Sequence, residues 1–429
     1  MSSIIIASVP VHGHVTPLLS VARQFVDRGD DVRFLTGAGF AEAVTATGAT
    51  HLPLPPEADY DPETLLRELA GRAHLKGAKA IAFDVEHVFA RPAKAQYRAL
   101  LDAHLHRPSD AVLFDPVFMG AALMVGRPRP TRPALVLCGV LPLNLESRDT
   151  APFGMGLPPS RYLNRPRNAA LNMLGRRVVA GADRLLNDFN RELHGAELPS
   201  CFSTLNRHVD AIIQFTVEAF EYPRADAPPQ LHFAGPLSAT GSHAALPDWW
   251  DDLNCGKPVV HVTQGTIANA DYGQLIAPTL CALADEDLLV VVSTGGRPLD
   301  NLPPLPANAR AATFLPYNEL LPRTAVYVTN SGYGGVQYAL RHGVPIVATG
   351  GKEDKPEVGA RVAWSGVGRR IRSENPKPAA LRRAILDVLN QPKYRQASAR
   401  MAADMAVAPG FAKVADVVDG QIGANVADG

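Results

Sequence analysis

Two short stretches of this chain carry side chains with chemical potential at the ends of apolar runs. The first is Val9-Pro10-Val11-His12-Gly13-His14-Val15-Thr16-Pro17, which follows the strand-like residues 4–9. A neutral imidazole placed there can take a proton from an alcohol. Such a base needs a carboxylate to hold its tautomer and stabilise the imidazolium. Asp115 stands directly after the apolar run 111–114 and is the candidate partner of His14. A helix cap near Phe118 is the competing reading of Asp115. Asp110 precedes the same run and so falls on the wrong edge of a sheet.

The second stretch is Asn330-Ser331-Gly332-Tyr333-Gly334-Gly335-Val336-Gln337, after the run 325–329. Glycines at a strand-to-helix turn let backbone amides converge on an anion, and the helix start adds its positive dipole end. A diphosphate is the expected occupant; a plain turn needing positive φ is the alternative. No GK[ST] follows, so this is not a P-loop. Upstream, His261-Val262-Thr263-Gln264-Gly265-Thr266 ends another run, and its hydroxyls and amides could reach the same phosphates. Phe314-Leu315-Pro316-Tyr317 offers an aromatic face for a base, and Asp354-Lys355 after Gly350-Gly351 a charged pair for sugar hydroxyls.

These residues need strand ends to carry them. Apolar runs at 4–9, 31–35, 50–54, 111–114 and 134–138 alternate with helical patterns, which predicts a parallel sheet covered on both faces. Thr16 and Pro17 read as the cap and first position of the first helix. A proline-rich stretch near 222–247 breaks the alternation, which then resumes with strands at 258–262, 288–292, 325–329 and 345–348. The expected organisation is an α/β chain of two doubly wound domains, 1–225 and 248–429, joined by a linker at 226–247. The last helix is a candidate to pack back on the first domain. Ligands in such sheets sit beyond the carboxyl ends of the strands, here in the cleft between the domains.

Composition narrows the classes. Of the 429 residues, 46% are apolar and 20% charged, with 42 basic against 42 acidic side chains. A chain without basic excess is a poor partner for nucleic acid. The four cysteines form no CxxC pair, so neither a zinc nor a redox motif is present. Asp285-Glu286-Asp287 reads as a solvated helix end rather than a metal site. A GxGxxG turn is missing after the first strand, so no nicotinamide or flavin cofactor is expected. No run reaches the ~18 apolar residues of a membrane span. With no basic leader ahead of the first strand, the expected location is cytoplasmic. Oligomeric state leaves no signal.

Taken together, these motifs resemble the large NDP-sugar glycosyltransferase family that includes plant flavonoid and bacterial macrolide and antibiotic glycosyltransferases, along nearly the whole chain. Gly13 to Pro17 is similar to that family's GHxxP segment, whose histidine is the catalytic base. Asp115 falls where the family places the aspartate that orients it. Phe314 to Tyr317 resembles its WxPQ segment, Asn330 to Gln337 its HxGxGS phosphate segment, and Asp354-Lys355 its DQ pair. The resemblance implies a GT-B fold and an inverting, metal-independent hexosyl transfer from a UDP- or dTDP-sugar to a small-molecule hydroxyl. Asn330 replaces the family's histidine, Val336 its Ser/Thr and Tyr338 its ribose-binding glutamate, which leaves dTDP-sugars open. Gly13, Thr263, Gly265, Thr266, Phe314, Leu315, Tyr317, Asn330, Ser331, Gly332, Gly334, Gly335, Val336, Asp354 and Lys355 are thus the donor-site candidates. The proline-rich, apolar segment 139–161 is a candidate acceptor wall through Leu141, Leu145 and Phe153, with Phe118 beside it. A non-catalytic auxiliary partner of a glycosyltransferase, a sugar-nucleotide epimerase and a nucleotide-dependent oxidoreductase are the competing classes.

Overall fold

A computed structural model describes residues 1–69, 71–237, 244–266 and 269–428. Residues 238–243 of the expected linker lie outside the described residues. The first half builds one parallel sheet from β1 (Ser3–Ala7), β2 (Asp31–Thr36), β3 (Thr50–Pro53), β4 (Ala111–Phe114), β5 (Ala134–Gly139), β6 (Ala211–Gln214) and β7 (Leu231–Phe233). Their order is β3-β2-β1-β4-β5-β6-β7. The second half builds a sheet from β8 (Val259–Thr263), β9 (Leu289–Ser293), β10 (Ala309–Ala312), β11 (Thr324–Thr329), β12 (Ile346–Ala348) and β13 (Gly368–Arg370), in the order β10-β9-β8-β11-β12-β13. Strands such as Ile4-Ile5-Ile6 and Leu289 to Val292 are apolar on both faces because both faces are covered.

Each sheet reverses its strand order once, between β1 and β4 and between β8 and β11. At these switch points the loops leaving the two strands diverge to opposite faces and leave a crevice. His14 follows β1 and Asp115 follows β4; Gly265 follows β8 and Asn330 follows β11. The His14, Asp115, Gly265 and Asn330 motifs therefore occupy the switch points, whereas Phe314 follows β10 at the sheet edge and Asp354 follows β12.

Three expectations change. The first helix begins at His12, with Val11 as a cap that makes no side-chain bond, and Pro17 lies inside it. His14 is consequently in the first helical turn, not in a loop ahead of it. Second, β7 lies within the stretch read as linker; three residues are too short to display alternation. Third, residues 217 and 220, on the far side of β6, pack in the core of the second half with Leu321, Tyr333 and Val358. The C-terminal helix Phe411–Asp428 returns to the first sheet, where Val414, Val417 and Val418 are buried with Val136 and Ile213. Among the described residues no helix is long and apolar enough to cross a membrane.

Candidate active site

The first lobe holds a dyad. His14 Nδ1 lies 3.1 Å from Asp115 Oδ1, and the carboxylate is fully buried. Asp115 Oδ2 accepts from Val9 N at 2.8 Å, and Oδ1 accepts from Val117 N at 2.9 Å. Asp115 does not cap the helix that follows, whose cap residue Phe118 makes no side-chain bond; its Oδ1 instead closes the turn at Val117, and that bond coexists with the histidine contact. An ionised carboxylate only accepts, so Nδ1 carries the hydrogen and Nε2 is the basic nitrogen. The surroundings are apolar. Burial, then the nearby Asp115 charge, pushes the Tyr60 hydroxyl and the Cys138 thiol up, so both stay neutral beside the dyad. Gly13 is exposed with open space where a Cβ would stand.

The second lobe holds the turn from β11 into the helix Tyr333–Arg341, capped by Gly332. The first amides of a helix have no partner within it. Val336 N is the first to find one, at Gly332 O, 3.1 Å away, which leaves those of Tyr333, Gly334 and Gly335 pointing out of the helix start. None of the turn's glycines has positive φ. The left-handed residue is Ser331, at φ 71°, held by Ser331 Oγ donating to Thr349 O at 2.6 Å. Gly334 is exposed and open in front, whereas a Cβ at Gly335 would lie 2.7 Å from the Tyr327 hydroxyl. Asn330 Nδ2 donates to Gln264 O at 2.6 Å, tying the β11 end to the β8 end. Thr266 is exposed at the β8 end, and Gly265 there has φ 74°. Phe314 is 48% exposed and its ring covers Gly296, a free aromatic face at the rim.

Several donor-site candidates turn inward. Val336 and Leu315 are core residues, the former at the fourth helical position, which faces the sheet. Counted along HxGxGS, the hydroxyl position is Gly335, and Tyr327 leaves no room for a side chain there. The Tyr317 hydroxyl meets His261 Nε2 at 3.1 Å and Ser293 Oγ at 3.2 Å. Burial pushes His261 down to about 4, so this cluster is a neutral packing element. The Thr263 hydroxyl accepts from Gly265 N at 3.2 Å and Ser331 is fully buried, so both shape the turn rather than face a ligand. Tyr338 is 7% exposed and its hydroxyl donates to Asn318 Oδ1.

Charge from the two lobes meets at the dyad. Asp354 caps the helix Lys355–Trp364 without a side-chain bond. Burial raises its carboxyl to about 6; Lys355 draws it down, Glu353 pushes it up, and His14 of the first lobe draws it down. Asp354 therefore lies within electrostatic reach of the base. The Lys355 ammonium is committed to Glu353. On the acceptor side, Phe118 and Leu145 are buried in the first-lobe core, which removes them from the wall, while Leu141 and Phe153 stay half-buried. Sequence reasoning missed the interlobe contacts. Gln214 Nε2 donates to the Tyr333 hydroxyl at 3.2 Å, and Thr216 Oγ1 donates to Gln337 Oε1 at 2.8 Å. Arg361 pairs with Glu221 at 2.8 Å and with Glu357 at 2.8 Å, all three buried. Among the described residues no group of three or more His, Cys, Asp or Glu could hold a metal ion.

Residues 277–419 match the erythromycin biosynthesis protein CIII-like C-terminal domain. The whole chain is 39% identical over 425 residues to the 4'-demethylrebeccamycin synthase of Lentzea aerocolonigenes, covering 98% of this chain and 99% of that one. The chain belongs to this family of antibiotic-type glycosyltransferases. The glycosyltransferase is also 34% identical over 435 residues to UDP-glycosyltransferase 2 of Phaeomoniella chlamydospora, covering 97% and 95% of the two chains. Its fold is GT-B. The calicheamicin glycosyltransferase CalG4 superposes with a TM-score of 0.74 at 23% identity, over 99% of this chain and 98% of that one. The spinosyn rhamnosyltransferase SpnG complexed with thymidine diphosphate superposes at 0.69 and 17% identity, over 97% and 100%.

Proposed function

We propose that this glycosyltransferase moves a hexose from a UDP- or dTDP-sugar to a hydroxyl of a small natural-product acceptor, with inversion at the anomeric carbon. The observation that carries the reading is the buried His14–Asp115 dyad, with Asp354 of the donor lobe within its electrostatic reach. His14 Nε2 takes the acceptor proton, and the Asp115 carboxylate stabilises the imidazolium that forms. The acceptor oxygen attacks the anomeric carbon as the bond to the diphosphate breaks on the opposite face. The amides of Tyr333, Gly334 and Gly335, with the helix dipole behind them, take up the charge that develops on the leaving diphosphate. Asp354 binds sugar hydroxyls, and Phe314 stacks on the nucleobase. Relatives support both donor bases: UDP in the names of fungal relatives, thymidine diphosphate in the SpnG complex.

The test is His14→Ala, with the anomeric configuration of the wild-type product read by NMR coupling. We expect the opposite configuration to the donor, and a variant slower by about 2–4 orders of magnitude that still binds nucleotide. Retention, or near-wild-type turnover in His14→Ala, would overturn the mechanism.

A further inference from the structure

The segment that carries the acceptor wall hangs between two bodies. On its own lobe, the helix Asn164–Val178 presents an asparagine every fourth residue. Asn164 Nδ2 donates to Asp149 O at 2.8 Å, Asn168 Nδ2 to Arg148 O at 3.3 Å and Asn172 Nδ2 to Ser147 O at 3.0 Å. Further along, the same segment is held by the other lobe. Glu357 Oε1 accepts from Gly154 N at 3.0 Å and from Gly156 N at 2.7 Å, and Arg370 Nη1 donates to Gly156 O at 2.7 Å. Both backbone groups of Gly156 are thus taken by donor-lobe side chains. The approach is too close for any other residue: a Cβ at Gly156, where φ is 57°, would lie 2.4 Å from Pro356 O.

Glu357 sits in the first turn of the Lys355–Trp364 helix, and its amide donates to Asp354 O at 2.9 Å. Its second oxygen holds Arg361, which holds Glu221, whose Oε1 accepts from Leu143 N at 2.8 Å. The wall is therefore tied at Leu143 and at Gly154 and Gly156 to one buried network centred on Arg361. That network begins one helical turn from the carboxyl assigned to the donor sugar. We propose that Glu357 and Arg370 are positioning residues that hang the acceptor wall on the donor lobe, so that sugar-nucleotide binding at Asp354 tightens the acceptor site. This rests on the donor reading given above. It implies ordered assembly, in which the acceptor meets its finished pocket only after the sugar nucleotide is in place.

Amide hydrogen exchange of the full chain reads the tie directly, because the Gly154 and Gly156 amides are themselves the donors. With saturating UDP-glucose or dTDP-glucose, exchange over residues 151–163 of the wild type should slow at least threefold. Arg370→Met keeps the stem that packs against Gly359 but loses the bond to Gly156 O. It should lose the ligand-dependent protection while nucleotide affinity stays within threefold. Arg370→Ala repeats the test should Arg370→Met fold poorly. A general structural role would change exchange equally with and without ligand. The inference is overturned if the wild-type segment ignores the sugar nucleotide, or if the variants keep its protection. If neither sugar nucleotide raises the wild-type melting temperature, the donor reading falls and this inference falls with it.

Discussion

Asp115→Asn isolates the charge of the dyad with little change of shape. The carboxylate accepts three hydrogen bonds, from His14 Nδ1, Val9 N and Val117 N, at 3.1, 2.8 and 2.9 Å. An asparagine has one carbonyl oxygen to share among them. If that oxygen serves His14 and Val117, the amide NH2 confronts Val9 N–H in a fully buried site, which costs about 1–3 kcal/mol. If it serves Val9, the NH2 faces His14 Nδ1, which must then become the acceptor. The ring hydrogen moves to Nε2, and the base is lost. Neither arrangement supplies the negative charge that stabilises the imidazolium. The rate should therefore fall by about 2–4 orders of magnitude, with a melting temperature a few degrees lower and nucleotide affinity unchanged. Single-turnover rates at saturating sugar nucleotide, on an acceptor that the wild type uses, measure the first; calorimetry with UDP and dTDP measures the last. Turnover within tenfold of wild type, or a loss confined to nucleotide affinity, would refute the reasoning.

Three further outcomes follow from the donor lobe. Gly334→Val places its side chain in open space before the helix amides, so the fold should survive while nucleotide affinity drops at least tenfold, about 1.4 kcal/mol; unchanged affinity by calorimetry removes the amides from the phosphate site. Asp354 holds a proton in the folded state up to about 6 against 3.8 in the unfolded chain, so its favourable contribution is complete below the unfolded value and is lost as pH rises through about 6. Asp354→Asn should thus stabilise the free protein by about 1–3 kcal/mol at pH 7.5 and not at pH 4, yet weaken sugar-nucleotide binding relative to the bare diphosphate; equal melting temperatures at pH 7.5 would contradict this. Because Tyr338 is buried against Asn318, no carboxylate from that position reaches a ribose, and competitive binding should show dTDP preferred or the two bases within tenfold; a stronger UDP preference refutes it.

Strand-end chemistry was legible because it is local. An apolar run followed by a glycine, a histidine or an aspartate states both the strand and its carboxyl end, and parallel pairing brings those ends to one edge. His14 and Asp115, 101 residues apart, pair on that argument, and the family resemblance points to the same two residues. What depends on which way a side chain turns was not legible. Val336 and Leu315 sit beside more exposed neighbours in sequence, yet helical and loop geometry point them into the core. The asparagine ladder at 164, 168 and 172 is absent from the sequence reading, because a four-residue spacing on a helix does not by itself mark loop carbonyls as its partners. Glu221, Glu357 and Arg361 were invisible for a different reason: their meaning lies in the contact between lobes, and no periodicity encodes that.

That contact divides its labour between two kinds of interaction. Val217 and Phe220 from the first half are buried among second-half side chains, and such apolar burial stabilises association without fixing direction. The network of Glu221 and Glu357 with Arg361 and the buried Arg224, 3.7 Å from Glu221, adds little net stability for its desolvation, but removing one member would leave an uncompensated buried charge. Its geometry is demanding: Arg361 meets one carboxylate from each side and stacks 4.4 Å over the Tyr222 ring. Apolar contact alone would let the lobes slide by an ångström or two at small cost. The buried charges do not, since each displacement breaks a bond that nothing else in the apolar surroundings can replace. The proposed transfer requires the donor's anomeric carbon at attack distance from an acceptor held by the first lobe, and small misplacements there are expensive in rate. The polar network is where the fold spends stability to set that distance.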